Sequence, residues 1–234
     1  MPDFQLSKRF RHALAALLLM FLGAQASRAT PILADSVTEF SGVQGQNNWY
    51  YGYYATPGAS SSFTQMAYFD AVGGTVGGSG GPWWEETTTQ GAGATWTLLW
   101  ATGGHPGGPL ISPLHWAVRR WVSEVSGSIT ISGTLQDADG GGGNGVFGRI
   151  LVDGVEVYTG RVDAISGPAT LAYSIDTVVS VGSVVDFAID PNGNELYDST
   201  IFTAKIAGVP EPSTLLLLGS ALVALAGARR DSLA

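Results

Sequence analysis

The chain has no cysteine among its 234 residues, so no disulfide can form in any compartment. Charge is sparse: 13% of residues are Asp, Glu, Lys or Arg, with 11 basic against 19 acidic. Between residues 30 and 208 five basic residues (Arg119, Arg120, Arg149, Arg161 and Lys205) face sixteen acidic ones, a formal charge of −11. So acidic a surface excludes nucleic acid and anionic lipid as partners of this interval. His105 and His115 are its only histidines, and neither has a partner at metal-ligand spacing such as H-x-x-x-H. No apolar run reaches the ~18 residues of a confident membrane span. No stretch of residues 30–208 shows the helical period of about 3.6 that marks an amphipathic helix.

Both ends read as addresses. Lys8, Arg9 and Arg11 precede an apolar stretch, Ala13 to Leu22, and then small residues. That is the pattern of a secretory signal peptide over residues 1–29, with cleavage expected after Ala26 or Ala29. At the other end, Val209-Pro210-Glu211-Pro212 leads into an apolar run, Ser213 to Ala228, and then Arg229-Arg230. The prolines disfavour helix before them, so a hydrophobic helix is expected to start after Pro212. At its helical rise the run spans about 24 Å, short of the ~30 Å hydrocarbon core unless the bilayer thins or the arginines snorkel. The arginines mark a cytoplasmic end. This order of signature, apolar run and basic stop resembles the PEP-CTERM sorting tail of exported bacterial proteins. The resemblance covers residues 209–230. It implies that Val209, Pro210, Glu211, Pro212, Arg229 and Arg230 form a sorting motif. It also implies an inner-membrane intermediate and processing by an exosortase.

What lies between is rich in short strand signals. Ile129, Ile131 and Leu135 alternate with Thr130, Ser132 and Thr134, a half-buried strand. Asp153-Gly154 between Phe147–Asp153 and Val155–Val162 is the strongest hairpin signal. Ala169–Asp176, Ser183–Asp190 and Thr200–Ala207 follow at similar spacing, with Val185, Phe187 and Ile189 on one face. Earlier strands are expected near Ser36–Phe40, Ala94–Thr102 and His115–Ser123, and glycine-rich loops over Ala71–Pro82, Gly103–Pro113 and Gly140–Gly145. Short strands at regular intervals with Gly, Pro and Asn turns predict an all-β domain over residues 30–208, an antiparallel β-sandwich or jelly roll.

Chemistry-bearing patterns are few. Gly77-Gly78-Ser79-Gly80-Gly81 matches G-x-S-x-G, but a nucleophile elbow needs a strand before the serine and a helix after it. Glu85 and Glu86 beside Trp83 and Trp84 invite a glycosidase reading, yet neighbours in a strand point to opposite faces and cannot flank one bond. No catalytic residue is assigned. Asp190, Asn192, Asn194 and Asp198 alternate oxygen-bearing side chains through an Asn-Gly turn, a candidate calcium loop, with Asp137 and Asp139 a weaker second. Asx turns explain such spacing equally well, so no cofactor is required. All seven tryptophans lie between Trp49 and Trp121. Trp96, Trp100, Trp116 and Trp121 fall on strand faces and are expected in the core. Tyr53, Tyr54, Trp83 and Trp84, in less regular sequence, are the candidate ligand-stacking residues. Of Arg119 and Arg120, on opposite faces of one strand, one is expected in solvent and the other paired with an acid at the sheet rim.

Arg119-Arg120-Trp121, Ile150-Leu151-Val152-Asp153-Gly154 and Val185-Asp186-Phe187-Ala188-Ile189-Asp190-Pro191-Asn192-Gly193-Asn194 resemble segments of exported bacterial β-sandwiches that look like carbohydrate-binding modules. The resemblance implies a sandwich over Arg119–Ala207 and polysaccharide as a partner. The leading expectation is therefore a non-enzymatic, exported protein of the cell surface or extracellular matrix with a structural or adhesive role. Polysaccharide recognition is the alternative, and a glycoside-active enzyme a more distant one.

Overall fold

The computed structural model describes residues 30–72, 81–86, 96–108 and 114–209. The expected signal peptide (1–29) and the tail beyond Val209, including Pro210, Glu211, Pro212, Arg229 and Arg230, lie outside the described residues. Among those described, fifteen strands follow in chain order: β1 (Ile32–Asp35), β2 (Trp49–Tyr54), β3 (Phe63–Gln65), β4 (Tyr68–Asp70), β5 (Trp83–Glu85), β6 (Leu98–Trp100), β7 (Gly103–His105), β8 (Trp116–Val122), β9 (Gly127–Asp137), β10 (Val146–Val152), β11 (Val155–Val162), β12 (Thr170–Val179), β13 (Val184–Asp190), β14 (Thr200–Phe202) and β15 (Lys205–Gly208). No helix among them is long and apolar enough to cross a membrane.

The strands form two antiparallel sheets, as expected of a sandwich. One has six strands in the order β11-β10-β13-β8-β2-β3. The other has nine and is organised around β9. β12 pairs along one side of β9, while β14 and β15 pair end to end along the other. The interruption at Thr203-Ala204 lets the sheet branch, with β1 joining β15 and β7 joining β14. From β7 the sheet continues through β6 and β5 to β4. The β10–β11 hairpin turns at Asp153-Gly154, whose φ values of 50° and 82° are the two left-handed positions of a type I′ turn. Gly103 is required by close approach, since a Cβ there would stand 1.8 Å from the Thr200 carbonyl oxygen.

Period-two alternation sorts the side chains. Trp49, Tyr51, Trp121, Val185, Phe187, Ile189, Ile129, Ile131 and Leu135 meet in the inter-sheet core. Fully burying each large side chain stabilises by roughly 1.5–3 kcal/mol. The outer face of the six-stranded sheet carries a second apolar cluster, Tyr54, Trp116, Val118, Leu151 and Ala188, with Phe63 packed against it. The expected core positions of Trp96 and Trp100 are corrected: both pack around Leu98 in a separate small cluster, and Leu99 is the residue of β6 that enters the main core.

Of the two arginines, one pairs with an acid as expected, and the other is buried rather than in solvent. Arg120, on the outer face, donates from Nε and Nη2 to Asp186 at 2.7 and 2.8 Å, with its guanidinium 3.9 Å over the Phe63 ring. Asp186 has no exposed surface and also accepts from Tyr54 Oη and Ser60 Oγ at 2.6 and 2.7 Å. Arg119 points inward with no carboxylate partner. Its guanidinium donates to the Trp100 carbonyl at 2.7 Å, and to those of Gly103 and Phe202 at 3.4 and 3.5 Å. Burial lowers its pKa to about 10, so it stays cationic at neutral pH. Replacing it by Met strands these inward carbonyls. Arg119→Met is expected to cost about 3 kcal/mol, lowering the melting midpoint by about 6–12 °C in a thermal melt. Arg119→Lys recovers little, because an ammonium cannot reproduce the guanidinium fork.

Both ends of the described domain leave from one pole. Gly208 N–H donates to the Pro31 carbonyl at 3.0 Å and Val209 N–H to that of Ser128 at 2.9 Å. The opposite pole is where the polar loops gather.

Candidate functional site

Strand register collects the chemistry-bearing residues at that second pole. Thr200 stands opposite both Gly104 and Asp137, so His105, Asp198 and Asp139 follow from neighbouring strand ends. Asp190 stands opposite Phe147, and Tyr54 opposite Trp116. A bridge between Gly107 and His115 brings both described histidines to the same pole.

Three of the four aromatic candidates are buried. Trp83 and Trp84 are 5% and 4% exposed, and Tyr54 is 0%. The Trp83 indole N–H donates to Glu85 Oε1 at 2.7 Å, and that of Trp84 to the Ser41 carbonyl at 2.9 Å. Their "irregular" neighbourhood in sequence is a short strand, β5, buried on both faces. Only Tyr53 is partly exposed; it stacks on His115, ring centroids 4.6 Å apart. His115 Nδ1 lies 3.0 Å from Glu86 Oε1, close enough for an ion pair but off the line of a hydrogen bond. Glu85 and Glu86 thus engage different partners, Trp83 and His115, as opposite-facing strand neighbours should. His105 donates from Nδ1 to the Pro106 carbonyl at 2.7 Å, and burial pushes its pKa down, so its ring is neutral.

The aromatic residue most open to solvent at this pole is one that sequence reasoning passed over. Tyr197 is 49% exposed and holds φ 61°, a left-handed conformation uncommon for a bulky residue. Its ring lies on Gly141 and Gly142, where an added Cβ would meet ring carbons at 2.7 and 3.1 Å. The glycine run is thus the seat of a tyrosine ring, and nothing in sequence pairs residues so far apart.

The expected calcium quartet is not assembled as such. Asp190 accepts from Arg149 Nε at 2.9 Å and from Asn192 N–H at 3.0 Å. Asn192 and Asn194 donate their amides to the Asn144 carbonyl and Oδ1 at 3.0 and 2.8 Å, tying the two loops together. Asp198 turns inward instead. Among the described residues no three His, Asp or Glu side chains are grouped to hold a metal ion. The weaker pair is occupied too: Asp137 accepts from the amides of Asp139 and Ala164 at 3.0 and 2.9 Å, and Asp139 from that of Ser199 at 3.0 Å.

Asp198 has no exposed surface, and burial, followed by the charges of Asp137, Glu195, Asp139 and Asp190, raises its pKa to about 9. Folding therefore favours the protonated acid. Its contribution to stability is full below the ordinary value of 3.8, declines as pH rises, and is gone above about 9. In metal-free buffer the melting midpoint should fall between about pH 5 and pH 8.5, and Asp198→Asn should flatten that slope. Equal slopes in the two proteins would assign the pH dependence elsewhere.

No curated protein matches the chain. Among solved structures, a family 35 carbohydrate-binding module from Clostridium thermocellum is similar at 14% identity, over 54% of this chain and 88% of that one, with a TM-score of 0.30. The CBM35 from Cellvibrio japonicus Abf62 is similar at 16% identity, over 70% and 99%, with a TM-score of 0.29. A β-glucosidase from Kluyveromyces marxianus is similar at 8% identity, over 79% of this chain and 20% of that one, with a TM-score of 0.34. The C-terminal segment gives a direct match: residues 208–230 carry the PEP-CTERM protein-sorting motif.

Proposed function

We propose that this is an exported, non-enzymatic β-sandwich protein with a structural or adhesive role at the cell surface or in the extracellular matrix. Its tail, on this reading, is processed by an exosortase after an inner-membrane intermediate. The observation that carries the reading is the sorting motif, which begins where the described strands end. β15 stops at Gly208, Val209 makes its hydrogen bond to Ser128, and Pro210 follows. A cut beyond Pro210 removes no described strand and leaves every described ladder intact.

The test is the intact mass of the protein recovered from its own cell, with and without exosortase. The expected product lacks the leader and the tail and lies outside the inner membrane; without exosortase, or in Pro210→Ala/Pro212→Ala, the tail is retained. The same tail-bearing mass in every strain would overturn the reading.

Polysaccharide recognition is the second reading, and Tyr197 favours it. Its ring is fixed on a glycine seat, half exposed, and beside Asn144, Asn192 and Asn194 in the adjoining loops. Sugars offer C–H faces to such rings and hydroxyls to amides. Tyr197→Asn keeps a residue that tolerates a left-handed φ and removes the ring. On a glycan retained by the wild type, it is expected to weaken affinity about tenfold, roughly 1.4 kcal/mol, with the melting temperature preserved. Absence of any binder at millimolar glycan would leave the structural role alone.

A further inference from the structure

We propose that β12 is a self-association edge: two copies of this chain pair antiparallel along it and join their nine-stranded sheets into one. The observation that carries this is the exception β12 makes among the strands that end the two sheets. Among the described residues those strands are β3 and β11 in one sheet and β1, β4 and β12 in the other. A sheet edge presents unpaired N–H and C=O groups, and soluble proteins blunt it by shortness, bulges or charge. β3 and β4 have three residues each, and β1 has four with a register break between Ile32 and Ala34. β11 is broken likewise, where Ile150 and Leu151 of β10 face Tyr158 and Glu156. β12 runs ten residues in unbroken register with β9, without proline or lysine, and Asp176 is its one charge.

The register tells which of its backbone groups are unserved. Thr134 on β9 uses both its N–H and its carbonyl on Thr203, at 3.1 and 3.0 Å, so both turn away from β12. Ala172, opposite Thr134, therefore turns its own away from β9. By the period of two, so do Thr170, Ser174, Asp176 and Val178. All five are exposed, and none makes a hydrogen bond from its backbone on that outer side.

This row is complementary to itself. With a two-fold axis through Ser174, Ser174 pairs with Ser174 of the second copy, Ala172 with Asp176, and Thr170 with Val178. Every outward group then meets an outward group, in five hydrogen-bonded pairs with about ten bonds in all. The acid lies opposite alanine and never opposite its own copy, so the seam avoids the repulsion that two acidic domains otherwise exert on each other. Between these pairs, on the core face, Leu171 and Ile175 are half-buried in one copy and gain cover from Thr177 and Tyr173 of the other. An isologous contact of this kind closes at two copies. A seam of one strand pair is at the small end of specific interfaces, so the dimer is weak, with a Kd on the order of 10 μM. The inference rests on neither the sorting nor the polysaccharide reading.

The test is sedimentation velocity of the protein purified from its own cell, over about 1–300 μM, with a thermal melt of each variant at the dilute end. The wild type is expected to pass from monomer to dimer across that range, more tightly as salt screens the net charge. Ser174→Pro removes the outward N–H at the axis and spares the β9 ladder. It is expected to weaken dimerisation about thirtyfold or more with the monomer's melt preserved. Ala172→Asp sets two like-charged pairs across the seam and should weaken it about tenfold, and adding Asp176→Lys should restore it. If Ser174→Pro does not fold, the charge pair decides alone. A wild type that is monomeric throughout overturns the proposal and leaves the edge to a strand of another protein. A dimer that Ala172→Asp does not weaken overturns it too, and places the interface elsewhere.

Discussion

A guanidinium without a counter-ion ties the two sheets together. Arg119 leaves β8 in the six-stranded sheet, crosses the interior, and donates to carbonyls on β6, β7 and β14 of the other. Those carbonyls lie beside the junction where β7 joins β14 through Gly103 and Gly104, with no side chains between the backbones. An apolar residue at 119 would leave them buried and unmatched, which costs more than the desolvation of one charge held by three oxygens. The rest of the architecture follows from that junction: β7 keeps its register on β14, and β14 keeps Thr200, and with it Asp198, at the polar pole.

The buried acids follow a second rule, the supply of donors. A sandwich interior accepts carboxylates only with donors, and Asp186 is the satisfied case, with Arg120, Tyr54 and Ser60 around it. Asp163 is another, held well below the usual carboxylate range first by the Ser166 hydroxyl and then by the amides of Ser166 and Ile165. Asp198 is equally buried and has no such donors.

Local signals in the sequence foretold much of this. The Asp153-Gly154 hairpin, the shared face of Val185, Phe187 and Ile189, and the sandwich class all depend on neighbours in the chain. What escaped were properties set by distant partners. Leu99, not Trp96 or Trp100, enters the main core because β6 is flanked by β5 and β7, and a three-residue strand carries too little pattern to fix its inward face. Trp83 and Trp84 looked exposed because glycine and threonine surround them in sequence, yet β5 is interior to its sheet. Tyr197 and the glycine run are about fifty residues apart and meet only through the pairing of β14 with β9. Arg119 and Arg120 do lie on opposite faces, but which of them has a carboxylate depends on Asp186 across the β8–β13 ladder.

Polarity of the domain connects the sorting tail to the loops. Gly208 pairs with Ile129 and Thr200 with Asp137, so β9 separates tail exit from acidic pole by about 27 Å at ~3.4 Å per residue. The N-terminal side joins the same exit pole, since Ile32 pairs with Ala207. Tyr197, Tyr53 and Asp198 therefore lie at the pole opposite both ends of the described domain. The described interval as a whole is acidic, so at that pole too it repels anionic surfaces within a Debye length of roughly 8–10 Å.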